Sequence, residues 1–156
     1  MRAITVKQPW AWAIAAGHKD VENRTTNWSY RGPLAIHAGR HWSRRGEGST
    51  LIQTAWRARI AASIPVAAGQ PEFVTGAIIA VVDLVDIHPA ADYQSSRTCC
   101  EPWGEARYRS ADHRDRTDVV HLVLRDPRPV TPSIDCTGAL GLWTPPPDIA
   151  ELLAAP

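Results

Sequence analysis

Lysine occurs only at positions 7 and 19 of this 156-residue chain, whereas arginine supplies the other 15 of its 17 basic side chains. Lysine is a compact point charge whose pKa falls on desolvation, and a chain that otherwise writes arginine marks these two positions for chemistry. Lys19 lies in the string Gly17-His18-Lys19-Asp20-Val21-Glu22-Asn23-Arg24. Its lysine, carboxylate and arginine can surround one small polar ligand. A lysine beside a carboxylate can orient a water or stabilise a developing negative charge. The same Lys19, Glu22 and Arg24 can instead form an ion-pair cluster that pins a loop.

Lys7 lies in Lys7-Gln8-Pro9-Trp10, at the mouth of an expected first helix. Free N–H groups and the positive dipole end there favour an anion. Gln8 offers a donor and an acceptor suited to a base edge. Trp10 or Trp12 can stack on a base, with packing against Ile14 as the alternative for either. Arg40, Arg44, Arg45, Arg57 and Arg59 form a candidate track for a nucleic-acid backbone, or else a solvated helix face. The six histidines show no metal-ligand spacing, and Cys99, Cys100 and Cys136 contain no CxxC. Neither a structural metal nor a disulfide framework is therefore expected. No G-x-S-x-G, P-loop or dinucleotide-binding glycine loop is present, and no cofactor is expected.

The elements that must position these groups are short. Ala3 to Val6 reads as a strand and Trp10 to Gly17 as a helix of about two turns that stops at the glycine. Val21 to Thr26 is expected to be extended, with Glu22, Arg24 and Thr26 on one face and Val21, Asn23 and Thr25 on the other. Leu34 to Ala38 is a buried strand ended by Gly39, and residues 40–49 read as a basic loop. Thr50 to Ser63 has a helical stripe of Ile52, Trp56 and Ile60, and Pro65 to Pro71 reads as a connection. Phe73 to Ile87 is the clearest strand, Val119 to Leu124 and Leu140 to Trp143 are further ones, and prolines 127, 129 and 132 punctuate the chain between them. Asp148 is placed to cap a last helix through Leu153. The stretch 88–117 is irregular. Short strands with a few inserted helices predict an α+β fold built on a small mixed barrel.

Composition sets the outer bounds. The length predicts one domain over residues 1–156. Residues 1–60 hold ten basic and three acidic side chains, a net of +7, while residues 61–156 hold seven and thirteen, a net of −6. That asymmetry predicts one positive face that draws in phosphate, unless the halves neutralise each other across the fold. The amino terminus reads as a strand, and no apolar run approaches the roughly 18–20 residues of a membrane helix. A cytoplasmic location without membrane partners is expected, and oligomeric state is left open.

Several motifs together make the chain resemble the ASCH domain family, which is related to the PUA domains of RNA-modifying proteins. They are Lys7-Gln8-Pro9-Trp10-Ala11-Trp12, the GxKxxExR string at 17–24, Tyr30-Arg31-Gly32-Pro33-Leu34, Ile36-His37-Ala38-Gly39, Gly76-Ala77-Ile78, Asp83-Leu84-Val85, Pro102-Trp103, His121-Leu122-Val123-Leu124 and Gly138-Ala139-Leu140-Gly141-Leu142-Trp143. The resemblance implies a PUA-like β-barrel with helices at its openings. It also implies a cleft in which the GxKxxExR side chains face a nucleotide or RNA. Lys7, Gln8, Trp10, Arg31, His37 and Trp103 are then the ligand-binding candidates. Some small bacterial members are amidohydrolases that deacylate N4-acetylcytidine, and others are ribonucleases. In the amidohydrolase pattern the lysine matching Lys19 is catalytic, and a threonine stands where this chain has Glu22. A further glutamate lies beyond the long strand, for which Glu101 and Asp92 are candidates.

Two functions follow as expectations. The first is a module that recognises RNA or a modified nucleobase. The second is a small hydrolase, either N4-acylcytidine amidohydrolase-like or a ribonuclease, using Lys19, Glu22 and Arg24. A third possibility is an interaction module in which the cluster only stabilises the barrel.

Overall fold

A computed structural model of the chain describes residues 1–62, 73–91, 99–106, 108–109, 116–117 and 119–154. The expected connection at 65–71, the end of the third helix at Ser63 and Asp92 lie outside the described residues. The main strands are β1 (Arg2–Gln8), β2 (Val21–Arg24), β3 (Gly32–Trp42), β4 (Ala77–Pro89) and β7 (Val120–Asp135), with β8 (Leu142–Trp143). They form one six-stranded mixed sheet in the order β2-β7-β4-β3-β1-β8, curled into a half-barrel. Only β1 and β3 pair in parallel; the other pairs are antiparallel. Two-residue strands β5 (Tyr108–Arg109) and β6 (Arg116–Thr117) pair separately.

The helices are α1 (Trp10–Ala15), α2 (Arg44–Glu47), α3 (Thr50–Ala61) and α4 (Pro147–Ala154). Alternation along the strands divides the core. Ile4, Val6, Leu34, Ile36, Val82 and Leu84 pack with Ala11 and Ile14 of α1 inside the curl. Ala3 and Ala35 face the other way and pack with Ile149 of α4, joined by Ile78 because the register of β4 shifts between Ile78 and Ala80. A third cluster joins Trp12, Val21, Ile52, Ala55 and Trp103, with Trp56 and Phe73 packed against it. Ile60 does not complete the expected stripe of α3, since it is 61% exposed while Ile52 and Ala55 are buried.

Several boundaries differ from the sequence reading. β2 stops at Arg24, β4 starts at Ala77, β8 holds only Leu142–Trp143, and Asp148 lies in the first turn of α4, which starts at Pro147. Gly39 does not end β3, which runs on to Trp42. Residues 40–49 are therefore the strand's end and then α2, whose Ser43 side chain accepts a hydrogen bond from the Gly46 N–H. Prolines 127, 129 and 132 lie within β7 and do not end it. They are tolerated because β2 pairs with Val120–Val123 and the Leu124 N–H still donates to Asp20 O, but beyond Leu124 no strand among the described residues pairs with that edge of β7.

Helix α2 presses directly on the start of α1. A Cβ at Gly46 would stand 2.7 Å from Pro9 Cδ and 3.0 Å from Trp10 Nε1, against 3.7 Å to the nearest atom at Gly48. Gly46→Ala is expected to cost about 1–3 kcal/mol through overpacking, whereas Gly48→Ala stays within roughly 0.5 kcal/mol. Calorimetric melting of the two variants checks this contrast.

Candidate functional site

The GxKxxExR residues reach one place by three local devices. Gly17 adopts φ +77° after α1, a left-handed conformation that glycine takes without strain. The N–H groups of His18 and Lys19 then both donate to Ala13 O at 2.9 Å. This fold-back buries Lys19 to 4% exposure, and β2 follows with Glu22 at 7%. Lys19 Nζ donates to Val21 O and to Glu22 Oε2 at 2.9 Å.

On its other side, Glu22 Oε1 is 3.1 Å from Arg24 Nη2, which also donates to Thr5 O of β1 at 2.8 Å. β2 is the first strand of the sheet and β1 the fifth. The curl brings them together, so Lys19, Glu22 and Arg24 sit where the two ends of the half-barrel approach.

Burial pushes the Glu22 carboxyl pKa up. The charges of Lys19 and Arg24, with the Lys19 hydrogen bond, outweigh that and hold it below the ordinary glutamate value. The site thus holds an ionised carboxylate between two cations. It lines a cleft of about 1220 Å³ whose walls include Trp10, Trp28, Trp103, Asn23 and Glu105. Trp10 and Trp103 meet edge to face with centroids 6.3 Å apart. Lys19 Nζ is 5.9 Å from the centre of the Trp10 ring.

The other candidates divide. Lys7, Arg40 and Arg45 also line the cleft, and all three are exposed. Arg45 pairs with Glu105 at 2.5 Å. His37 lines the cleft at 3% exposure. Its Nε2 meets Cys136 O at 3.1 Å, its Nδ1 has no hydrogen-bond partner among the described residues, and burial lowers its pKa.

Gln8 is wholly buried and outside the cleft. Its Nε2 donates to Val74 O and its Oε1 accepts from the Trp12 N–H. The amide therefore caps α1 and presents no edge to a base, and it takes up one of the helix N–H groups expected to meet an anion. Arg31 is also elsewhere: it donates to Trp28 O, Tyr30 O and Ile87 O, tying the β2–β3 connection to β4. Arg44, Arg57 and Arg59 do not line the cleft, so the expected five-arginine track reduces there to Arg40 and Arg45. Glu101 is exposed and outside the lining; the carboxylate beyond β4 that lines the cleft is Glu105.

Sequence reasoning missed Asn23 and Glu105. Asn23 Nδ2 donates to Trp103 O at 2.9 Å, and its Oδ1 accepts from the Glu105 N–H at 2.9 Å. This clamp holds the Trp103 wall against β2. The polar Asn23 beside Val21 on one strand face was the available signal.

A half-barrel sheet closed by a Lys-Glu-Arg cluster, with helices at its opening, defines a PUA-like fold. The chain belongs to the ASCH domain family, whose model matches residues 4–124. The crystal structure of ASCH from Zymomonas mobilis is similar at 18% identity and a TM-score of 0.56, covering 98% of this chain and 93% of that one. A serine-to-alanine variant of that protein gives 19% identity and 0.55, with 98% and 94% covered. A tyrosine-to-phenylalanine variant gives 17% and 0.54, with 98% and 96% covered. No curated protein matches the chain. Among the described residues, no helix is long and apolar enough to cross a membrane.

Proposed function

We propose that the cleft binds single-stranded RNA, taking one unstacked base or modified nucleobase against the Trp10–Trp103 wall. The observation that carries this reading is the ionised, buried Glu22 held between Lys19 and Arg24 in a tryptophan-walled cleft. A carboxylate accepts from an exocyclic amine, as of cytosine. Val21 O and Glu22 Oε2 engage two of the three donors of Lys19, leaving one for an acceptor on the ligand. The volume of about 1220 Å³ exceeds the roughly 300–1,000 Å³ of a site for one small molecule, so a base and flanking backbone fit. Lys7, Arg40 and Arg45 on the rim suit phosphates, and an unstacked base is the usual target of sequence-reading RNA modules.

Titration of a short single-stranded RNA across a salt series tests this. Affinity is expected to fall with salt by about 0.7 in log–log slope for each phosphate contact. Arg40→Ala should flatten the slope by about that amount, and Arg57→Ala should leave it unchanged. An affinity independent of salt would contradict the reading.

One contact favours a second reading, hydrolysis of an N4-acylated cytidine: Lys19 Nζ lies 2.9 Å from Glu22 Oε2 inside the cleft. Glu22 would take a proton from water as it adds to the acyl carbonyl, and Lys19 would stabilise the oxyanion. The C–N bond then breaks, with the proton passing to the leaving N4. Turnover of N4-acetylcytidine no faster than with Lys19→Ala sinks this reading.

A further inference from the structure

Behind the Trp103 wall, four side chains outside the cleft lining converge. The ligand atoms of His88, Cys99, Cys100 and His121 all lie within 4.8 Å of one another. Cys99 Sγ is 3.4 Å from His121 Nδ1, and Cys100 Sγ is 3.4 Å from His88 Nε2. A tetrahedral zinc with Zn–S near 2.3 Å and Zn–N near 2.0–2.1 Å separates its ligands by about 3.3–3.8 Å. These two edges already have that length, and since no edge exceeds 4.8 Å, none needs to close by more than about 1–1.5 Å.

Both histidines are oriented as ligands. The far nitrogen of His88, Nδ1, meets Asp86 Oδ2 at 2.8 Å, and that of His121, Nε2, meets Glu105 O at 2.8 Å. Each oxygen accepts an N–H, which fixes the tautomer and turns a bare ring nitrogen toward the thiols. Asp86 is itself 3.5 Å from Arg31, giving this arginine a place in the outer layer.

The backbone is also arranged for the cluster. Adjacent side chains on an extended strand point in opposite directions. Cys100 instead holds φ 64°, uncommon for a residue with a Cβ, and both thiols reach the same point. A Cβ at Gly104 would lie 2.8 Å from His121 Cε1 and 2.9 Å from Cys100 Cβ, so glycine permits the close approach of this turn.

The geometry points to a four-coordinate structural zinc site formed by Cys99, Cys100, His88 and His121. Two thiolates and two neutral imidazoles suit zinc and not calcium or magnesium, which take oxygen ligands. Binding converts Zn²⁺ and two thiols into a neutral bis-thiolate complex, with two protons released to solvent. Four protein ligands leave no open position, so the ion would tie the end of β4 and the 99–104 turn to β7 and brace the Trp103 wall.

The test uses the intact chain without a polyhistidine tag. Elemental analysis should find one zinc per chain. Chelation should lower the melting temperature by several degrees, and added zinc should restore it. Cobalt in place of zinc should give the intense red-region bands of a tetrahedral site and thiolate charge-transfer absorption in the near ultraviolet. Cys100→Ser and His121→Ala should lose these bands, and Cys136→Ser should keep them. Should the first two variants fold poorly, the wild-type cobalt spectrum still decides. Absence of stoichiometric zinc with only weak octahedral cobalt absorption would overturn the assignment. A Cys99–Cys100 disulfide forming in the presence of zinc would do the same.

Discussion

Lys19→Ala is expected to weaken binding of single-stranded RNA by about 10- to 150-fold, the worth of one charge-assisted hydrogen bond of roughly 1.5–3 kcal/mol. Lys19 is 4% exposed and pairs with Glu22, so its removal also alters the partner. Arg24 remains beside Glu22 at 3.1 Å, which keeps that carboxylate compensated and the fold intact. Lys19→Arg separates binding from catalysis. The retained charge preserves most of the RNA affinity, whereas hydrolysis that depends on a compact amine is lost. If Lys19→Ala lowered only the melting temperature and left RNA affinity unchanged, the cluster would serve the barrel alone.

Glu22→Ala is expected to have the largest effect on stability. It strands the buried Lys19 ammonium without its carboxylate, a change that costs about 3–5 kcal/mol when one partner of a buried pair is removed. For a chain of this size that is a fall of roughly 6–20 °C in melting temperature. Glu22→Gln keeps an acceptor for Lys19 and loses less. The same carboxylate shapes the acid limb of stability. Its pKa in the folded state lies below the ordinary glutamate value because the two cations outweigh burial. Its contribution is therefore complete above the ordinary value and is lost as pH falls through the lowered one. Melting curves recorded from neutral pH downward should lose that component in Glu22→Gln. An unchanged acid limb would mean that the carboxylate is not held by Lys19 and Arg24.

The parts of the molecule written in local chemistry were legible from sequence. The apolar run of β4, the glycine stop after α1 and the placement of Lys19, Glu22 and Arg24 follow from residue type and period. The α+β half-barrel followed from short strands with inserted helices and from the ASCH motifs.

Long-range pairing was not legible. Prolines 127, 129 and 132 read as breakers because the edge of β7 left without a strand partner beyond Leu124 is a property of the sheet order. Gln8 read as a base reader because its partner Val74 O is 66 residues away. Glu105 was hidden in an irregular stretch, and its contacts with Asn23 and Arg45 place it on the cleft. The ligand cluster at His88, Cys99, Cys100 and His121 had no spacing signature, since β4, the following turn and β7 bring it together in three dimensions.

The most direct measurement of the central claim is a titration of the ¹⁵N-labelled protein with short single-stranded RNA, followed through the indole N–H signals of its seven tryptophans. Trp10, Trp28 and Trp103 line the cleft, whereas Trp12 is buried against Trp56 and Phe73 and is not part of the cleft lining. Saturable shifts of the Trp10 and Trp103 signals are expected, weakened by salt and by Lys19→Ala, with Trp12 and Trp56 unmoved. Shifts confined to Trp42 or Trp56, or none at saturating RNA, would contradict it.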